Sequence, residues 1–428
     1  VAGGAASNGG FFRRHRDFTR LWLGQTISVV GTQVTVVALP LLAITTLHAS
    51  TVQVGVLAGA ETLPFLLVGL PAGVWVDRWR RRPVLIAADA GRGLLLASIP
   101  IAYAFDILHM AQLFVVAFGV GVLTVFFDVA YQAYVPALVQ GEALIDANAR
   151  LEVSYSAGQS VGPGIGGVLV QALSAATAIL IDTISYAVSA VILLGIKARE
   201  EPPPEDHHGD AAKTMVTAVR EGLAFVLRHR LLAPIAACSA LFNLFSAMSM
   251  AVFLLYAVRD LDLSAATIGL LFSTGGVALV GGTLLMARVG TRLHTGLALS
   301  IGAVVQGAAF LLVPAAPRSV AAPFFFAAIA LEQIFSPAYN ITQISLRQTV
   351  TPPRLHGRMT ATMRFLVWGS LPLGSVIGGL LGSAIGRHTT LWVSAIGGAL
   401  SALPILLSPL SRLHTMPDAA PNGSPPTG

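Results

Sequence analysis

Charge is what this sequence has least of. Only 11% of its 428 residues are Asp, Glu, Lys or Arg, where a soluble chain carries about a quarter. A chain this poor in charge cannot cover itself with solvated side chains, so lipid must be its main solvent. Cysteine is nearly absent: Cys238 stands alone inside an apolar run, which excludes an internal disulfide. Lysine is also scarce. Neither Lys197 nor Lys213 follows a glycine, so no phosphate-gripping ATP loop exists. No histidine–cysteine cluster has metal-ligand spacing, and His207 and His208 fall in a polar stretch where they read as solvated. No cofactor, metal or enzymatic activity is expected. The first ten residues have no apolar core of signal-peptide type, so the first apolar segment is expected to stay in the mature protein.

What is present is hydrophobic sequence: 55% of the residues, with a mean hydropathy of +0.76. A crossing needs about 20 apolar residues. Twelve segments qualify, near 21–45, 52–76, 83–105, 110–135, 151–172, 175–196, 231–257, 266–287, 294–313, 321–345, 361–385 and 389–410. The expected organisation is an N-tail (1–20), a six-helix bundle (21–196), a linker (197–230), a second six-helix bundle (231–410) and a C-tail (411–428). The linker holds the acidic, proline-rich stretch 200–210, which cannot bury itself. In it Val216, Val219, Leu223 and Val226 recur at helical spacing, which predicts an amphipathic helix on the membrane surface.

The net charge of +6 and pI near 9.9 do not point to nucleic acid, because the basic residues punctuate the apolar segments instead of clustering on a soluble domain. They alternate instead. The N-tail, the connection after segment 2 and every second connection thereafter carry the arginines and lysines. The opposite side has only Arg259, Arg318 and Arg387, and Arg92 lies within a segment. The positive-inside rule then places both termini in the cytoplasm.

Between segments 2 and 3 stands a charged hinge of pattern G-x-x-x-D-R-x-x-R-R, with Gly73, Asp77, Arg78, Arg81 and Arg82. Segment 5 holds Gly158, Gly162, Pro163, Gly166 and Gly167. Segment 11, six crossings later, repeats the glycines as Gly374, Gly378 and Gly379. The pattern G-x-G-x-x-G also occurs here, but inside a membrane segment with no preceding strand, so a dinucleotide site is excluded. The glycines read as close helix contacts, and Pro163 as a kink.

These residues carry a resemblance to the major facilitator superfamily over essentially the whole chain. The hinge is similar to the family's loop 2–3 signature, with Arg80 in place of the usual glycine. The segment 5 glycines resemble the motif of its exporter branch, although segment 4 lacks that branch's arginine. The stretches from Leu63 to Arg78 and from Ser345 to Arg358 resemble the bacterial macrolide-efflux and enterobactin-exporter-like subgroup. The resemblance implies an all-α integral membrane protein with twelve transmembrane helices in two pseudo-symmetric six-helix bundles, working by alternating access. It also implies that Asp77 latches the cytoplasmic face against the positive end of a helix dipole and that segments 1, 4, 7 and 10 line the cavity.

Residue chemistry adds to this. Gly73 would let another helix approach closely, and Asp128 in segment 4 is a natural partner for a loop arginine. Asp89 and Arg92, three apart, are expected to neutralise each other, and Asp182 to serve packing. Glu61 and Glu332 lie mid-segment, where a charge costs about 2.5–3.5 kcal/mol. They are the candidate proton carriers, with structural acids as the alternative. The cavity candidates are Gln25, Gln33, Tyr131, Gln132, Asn243, Phe245, Gln333, Tyr339 and Asn340. No arginine or lysine lies deep in segments 1, 4, 7 and 10, which speaks against a polyanionic substrate. The expectation is proton-coupled efflux of a small amphiphilic compound by a monomer in the bacterial inner membrane. Uptake on the same scaffold and a non-transporting sensor or scaffold remain open.

Overall fold

The computed structural model describes residues 8–198, 200, 211–352 and 355–417. Every regular element among them is helical. In order they are α1 (Asn8–Arg14), α2 (Arg16–Thr45), α3 (Thr51–Leu67), α4 (Gly69–Arg78), α5 (Arg81–Ala104), α6 (Met110–Leu138), α7 (Glu142–Ala172) and α8 (Ala175–Leu194). Then come α9 (Ala211–Arg228), α10 (Leu232–Arg259), α11 (Ala265–Val289), α12 (Thr295–Ala309), α13 (Leu312–Ala315), α14 (Ala321–Val350), α15 (His356–Ala384), α16 (Arg387–Leu400) and α17 (Leu403–Leu406).

Ten helical stretches are long and apolar enough to cross a membrane. The other two crossings depart from that simple form for identifiable reasons. The second is α3 followed by α4, with the junction at Val68. Pro71 lacks the N–H that would bond Leu67, which thins the ladder there. Val68 N still donates to Pro64 O (2.8 Å) and Ala72 N to Val68 O (2.8 Å), so the chain continues in nearly the same course. The fifth crossing is α7, whose 31 residues begin with a polar turn and then turn glycine-rich. Gly141, just before it, has φ +64°, a left-handed conformation that a side chain disfavours.

The chain divides into two compact units. Unit 1 comprises Val1–Ala49, Leu63–Glu205 and Ser264–Ser273; unit 2 comprises Ser50–Thr62, Asp206–Leu263 and Thr274–Gly428. The short exchanged pieces are explained by glycine contacts. A Cβ built on Gly55 would lie 2.8 Å from Gly379 Cα, which joins the start of α3 to α15 within unit 2. A Cβ on Gly167 would lie 2.8 Å from Gly269 Cα, which joins the start of α11 to α7 within unit 1. In lipid, burial of apolar area no longer drives association, so such close backbone packing holds helices together.

Unit 1 packs Phe18, Leu21, Val76, Leu85, Phe127 and Tyr134 into a core. Unit 2 does the same with Val226, Leu232, Ile235, Leu299, Tyr339 and Met363, and the thiol of Cys238 is fully buried among them. The C-terminal part of α9 packs one side on this core while Arg220, Glu221, Leu227 and Arg228 stay exposed. Gly222 lets the helix sit against Arg358 O and Thr362 of α15, and Glu221 pairs with Arg358. The side chains of Val216 and Val219 lie outside the described residues.

Candidate functional site

Unit 1 is built around a buried polar seam between α2, α5 and α8. Asp89 and Arg92 form an ion pair one helical turn apart on α5. The Arg92 guanidinium also lies over the rings of Phe127 and Tyr186, 4.3 Å from each centroid, so the cation is held on both faces. Tyr186 shares a 2.8 Å hydrogen bond with Thr32. Asp182 accepts from Thr35 (2.6 Å) and from Ser185 (3.0 Å). Asp89 and Arg92 thus neutralise each other, as expected, and Asp182 is held by hydroxyls within unit 1.

Next to the seam is a cavity of about 460 Å³. It brings together Gln25, Tyr131 and Gln132, three of the cavity candidates, with Asp128, expected only as a partner for a loop arginine, and adds Asn148, Glu152, Ser154 and Tyr155 of α7. Gln25 Oε1 is buried and accepts no hydrogen bond. Asp128 is close enough to Arg92 for their charges to interact. Gln33 does not line this cavity: its side chain is spent against α7, where a Cβ on Gly162 would lie 2.5 Å from Gln33 Cβ.

Unit 2 has a cavity of about 540 Å³. Asn243, Tyr339 and Asn340 line it together with Gln306, Gln343, Arg347, Gln348 and Arg364. Both arginines lie outside the deep part of segments 1, 4, 7 and 10: Arg347 is near the C-terminal end of α14 and Arg364 is on α15. Gln343 Oε1 and Arg347 Nε are buried without hydrogen-bond partners. The Tyr339 hydroxyl is already engaged by Ser239 Oγ at 2.8 Å. Phe245 and Gln333 point elsewhere. Phe245 sits where a side chain on Gly397 of α16 would be, and Gln333 packs toward Gly275 of α11.

The hinge residues divide their tasks. Arg82 donates from Nε to Leu193 O (3.2 Å) and from Nη2 to Leu194 O (2.7 Å), so it caps the end of α8 instead of reaching Asp128. The backbone N–H groups of Arg81 and Arg82 both donate to the Glu200 carboxylate, at 2.5 and 2.7 Å, which supplies the negative charge favoured at a helix N-terminus. Trp75 and Trp79 stack on Phe126, with centroids 5.9 and 6.0 Å away. No described atom comes within 4 Å of a Cβ built on Gly73, so close approach at Gly73 is not realised here. Arg78 takes part in an interaction of its own; the side chain of Asp77 lies outside the described residues. The α7 glycines do make close contacts: a Cβ on Gly158 would lie 2.5 Å from Val29, and one on Gly166 2.9 Å from Val34. Pro163 O meets Gly269.

A cavity in each of two helical units and a charged hinge between two crossings are the parts of a membrane transporter. Residues 11–425 match the family described as "Transmembrane secretion effector". The chain belongs to that family. The chain is 28% identical over 377 residues to the multidrug efflux pump Tap of Mycolicibacterium fortuitum, covering 84% of this chain and 88% of the pump. It is 27% identical over 431 residues to the enterobactin exporter EntS of Citrobacter koseri, covering 96% and 97%. Among solved structures it is similar to a bacterial homologue of the iron transporter ferroportin in an inward-facing state. The TM-score is 0.71 at 17% identity, covering 92% of this chain and 98% of that one. The nucleoside transporter NupG gives 0.73 at 11%, covering 91% and 98%. These likenesses establish the major facilitator fold.

The two mid-membrane acids stand apart from the cavities above. Glu61 on α3 and Glu332 on α14 are both half-buried. Neither makes an ion pair among the described residues, and neither lines those two cavities. Sequence reasoning missed Asn148, Glu152 and Tyr155 because α7 was read only through its glycines. It missed Gln306 and Gln343 because the pattern of a membrane helix does not say which side faces a cavity.

Proposed function

We propose that this protein exports a small amphiphilic compound across the bacterial inner membrane by alternating access, driven by protons entering in exchange. The observation that carries the proposal is the pair of orphaned amide acceptors. Gln25 Oε1 and Gln343 Oε1 are buried, each in the wall of a cavity, and each lacks a hydrogen-bond partner. A buried acceptor without a partner costs about 1–3 kcal/mol, and a ligand that donates to it removes that cost. Aromatic rings, amides and a few charges around such acceptors suit an amphiphile with hydrogen-bonding groups. The names of the Tap and EntS relatives support the outward direction. The arginine distribution supports cytoplasmic termini, and nothing in the proposal needs more than one copy of the chain.

In this reading the halves 21–196 and 231–410 move against each other. Asp77 latches the cytoplasmic side, and Glu332 or Glu61 carries the proton. Reconstituted vesicles under an imposed pH gradient test the whole. Net export of an amphiphilic dye with coupled proton entry is the expected outcome. Flux in the opposite direction would make the protein an importer; binding without flux would make it a sensor. Asp77→Asn in the same vesicles is expected to stop transport while the protein still reaches the membrane, and undiminished flux would remove the latch.

A further inference from the structure

A third cavity, of about 560 Å³, lies at the arginine-rich end of unit 1 and takes no part in the transport reading above. The turn from α1 to α2 supplies Arg13, Arg14, Arg16 and Arg20, and Lys197 comes from just beyond α8. The floor is apolar, with Phe18, Ala137, Leu138 and Ala198.

Five cationic side chains share this cavity with one carboxylate, Asp17. That carboxylate is already engaged: Oδ1 accepts from Arg20 Nη1 at 2.8 Å and Oδ2 from the backbone N–H of Lys197 at 3.2 Å. Arg13, Arg14, Arg16 and Lys197 make no ion pair among the described residues. Their mutual repulsion is therefore uncompensated inside the protein, and an anion would relieve it.

The cations are also presented on an anchored turn. Phe11 packs edge-on against Phe18 with centroids 5.7 Å apart, and Phe12 lies 4.8 Å from Trp22. Arg150 covers both rings, at 4.7 and 4.8 Å. Thr19 Oγ1 donates to Phe12 O at 2.9 Å. Holding the turn in place beforehand reduces the ordering cost of binding.

We propose that this cavity binds an anionic phosphate group, of the kind presented by a phospholipid headgroup or by a soluble phosphate. Guanidinium forks match phosphate oxygens in pairs, and several of them around one pocket is the arrangement that recognises this group. The cavity sits where α2 begins and where α6 and α8 end, at the depth of the headgroups for helices that cross a bilayer, and the apolar floor suits the glycerol end of a lipid.

The test uses the full chain purified in detergent, with binding of dihexanoyl phosphatidylglycerol, dihexanoyl phosphatidylcholine and inorganic phosphate measured by thermophoresis. Phosphatidylglycerol is expected to bind saturably and more tightly than phosphatidylcholine. Arg13→Gln/Arg14→Gln/Arg16→Gln is expected to weaken that binding about 100-fold, while Arg288→Gln/Arg292→Gln leaves it unchanged. Inorganic phosphate binding as tightly as the lipid, and lost in the triple variant, assigns the site to a soluble source; much tighter lipid binding assigns it to the headgroup. Should the triple variant not fold, Arg14→Glu alone decides, with about a 10-fold loss expected. Full affinity in whichever variant folds, or no preference for phosphatidylglycerol over phosphatidylcholine together with no phosphate binding, overturns the proposal.

Discussion

Unit 1 buries Asp89, Arg92 and Asp182, whereas among the described residues of unit 2 no charged side chain is buried to that degree. Unit 2 relies on backbones brought together through glycine, as α7 also does in unit 1. A Cβ on Gly302 would lie 2.6 Å from Tyr339 N, and one on Gly378 2.5 Å from Met248 O. Its mid-membrane acids, Glu61 and Glu332, have no ionic partner among the described residues, while the buried acids of unit 1 are each held by a cation or by hydroxyls. Two bundles of the same plan thus use charge differently. In unit 1 buried charge is structural cement; in unit 2 the more exposed pairs Glu221–Arg358 and Asp260–Arg387 are engaged, and the two mid-membrane acids stay unpaired among the described residues, the condition a proton carrier needs.

The contrast breaks first at Arg92. Replacing it with Leu strands a buried carboxylate and is expected to cost about 3–5 kcal/mol, read as a lower unfolding temperature in detergent. Adding Asp89→Asn should recover most of the loss; if it recovers nothing, the ion pair is not what holds α5. The second test is Glu332→Gln. One proton is worth about 2.3 kcal/mol per 100 mV, so losing the carrier removes about a 50-fold accumulation ratio. Asp182→Asn should keep that ratio, and a reversed result would assign coupling to unit 1. Third, Gly378→Val drives a side chain into the backbone of Met248 and is expected to cost about 1–3 kcal/mol by thermal unfolding. Smallest is Gly73→Ala, with open space around it: a gain of about 0.5–1 kcal/mol. Transport that falls despite that gain would show that Gly73 is needed in another conformation.

Much of the fold was legible because lipid imposes a length rule that sequence obeys openly. The hinge pattern and the repeated glycines were legible too, since a charged turn and a close helix contact each demand particular residues. What stayed hidden was rotation about each helix axis. In water the polar side of a helix announces itself; in lipid, core and solvent are both apolar, so periodicity says little. Polarity grouped Gln25, Tyr131 and Gln132, which line one cavity, but could not separate them from Gln33 and Phe245, which pack on α7 and α16. Glu200 capping α5 was invisible for another reason: it lies 118 residues from its partner Arg82, and only folding brings the two together.

Cys238 carries a practical consequence. The only sulfhydryl in the chain is sealed in the core of unit 2, with no surface open to reagents. The natural protein therefore offers a nearly silent background for thiol labelling. A cysteine introduced at Glu152 or Arg364, at the two cavity walls, would report its own accessibility without first removing a native residue.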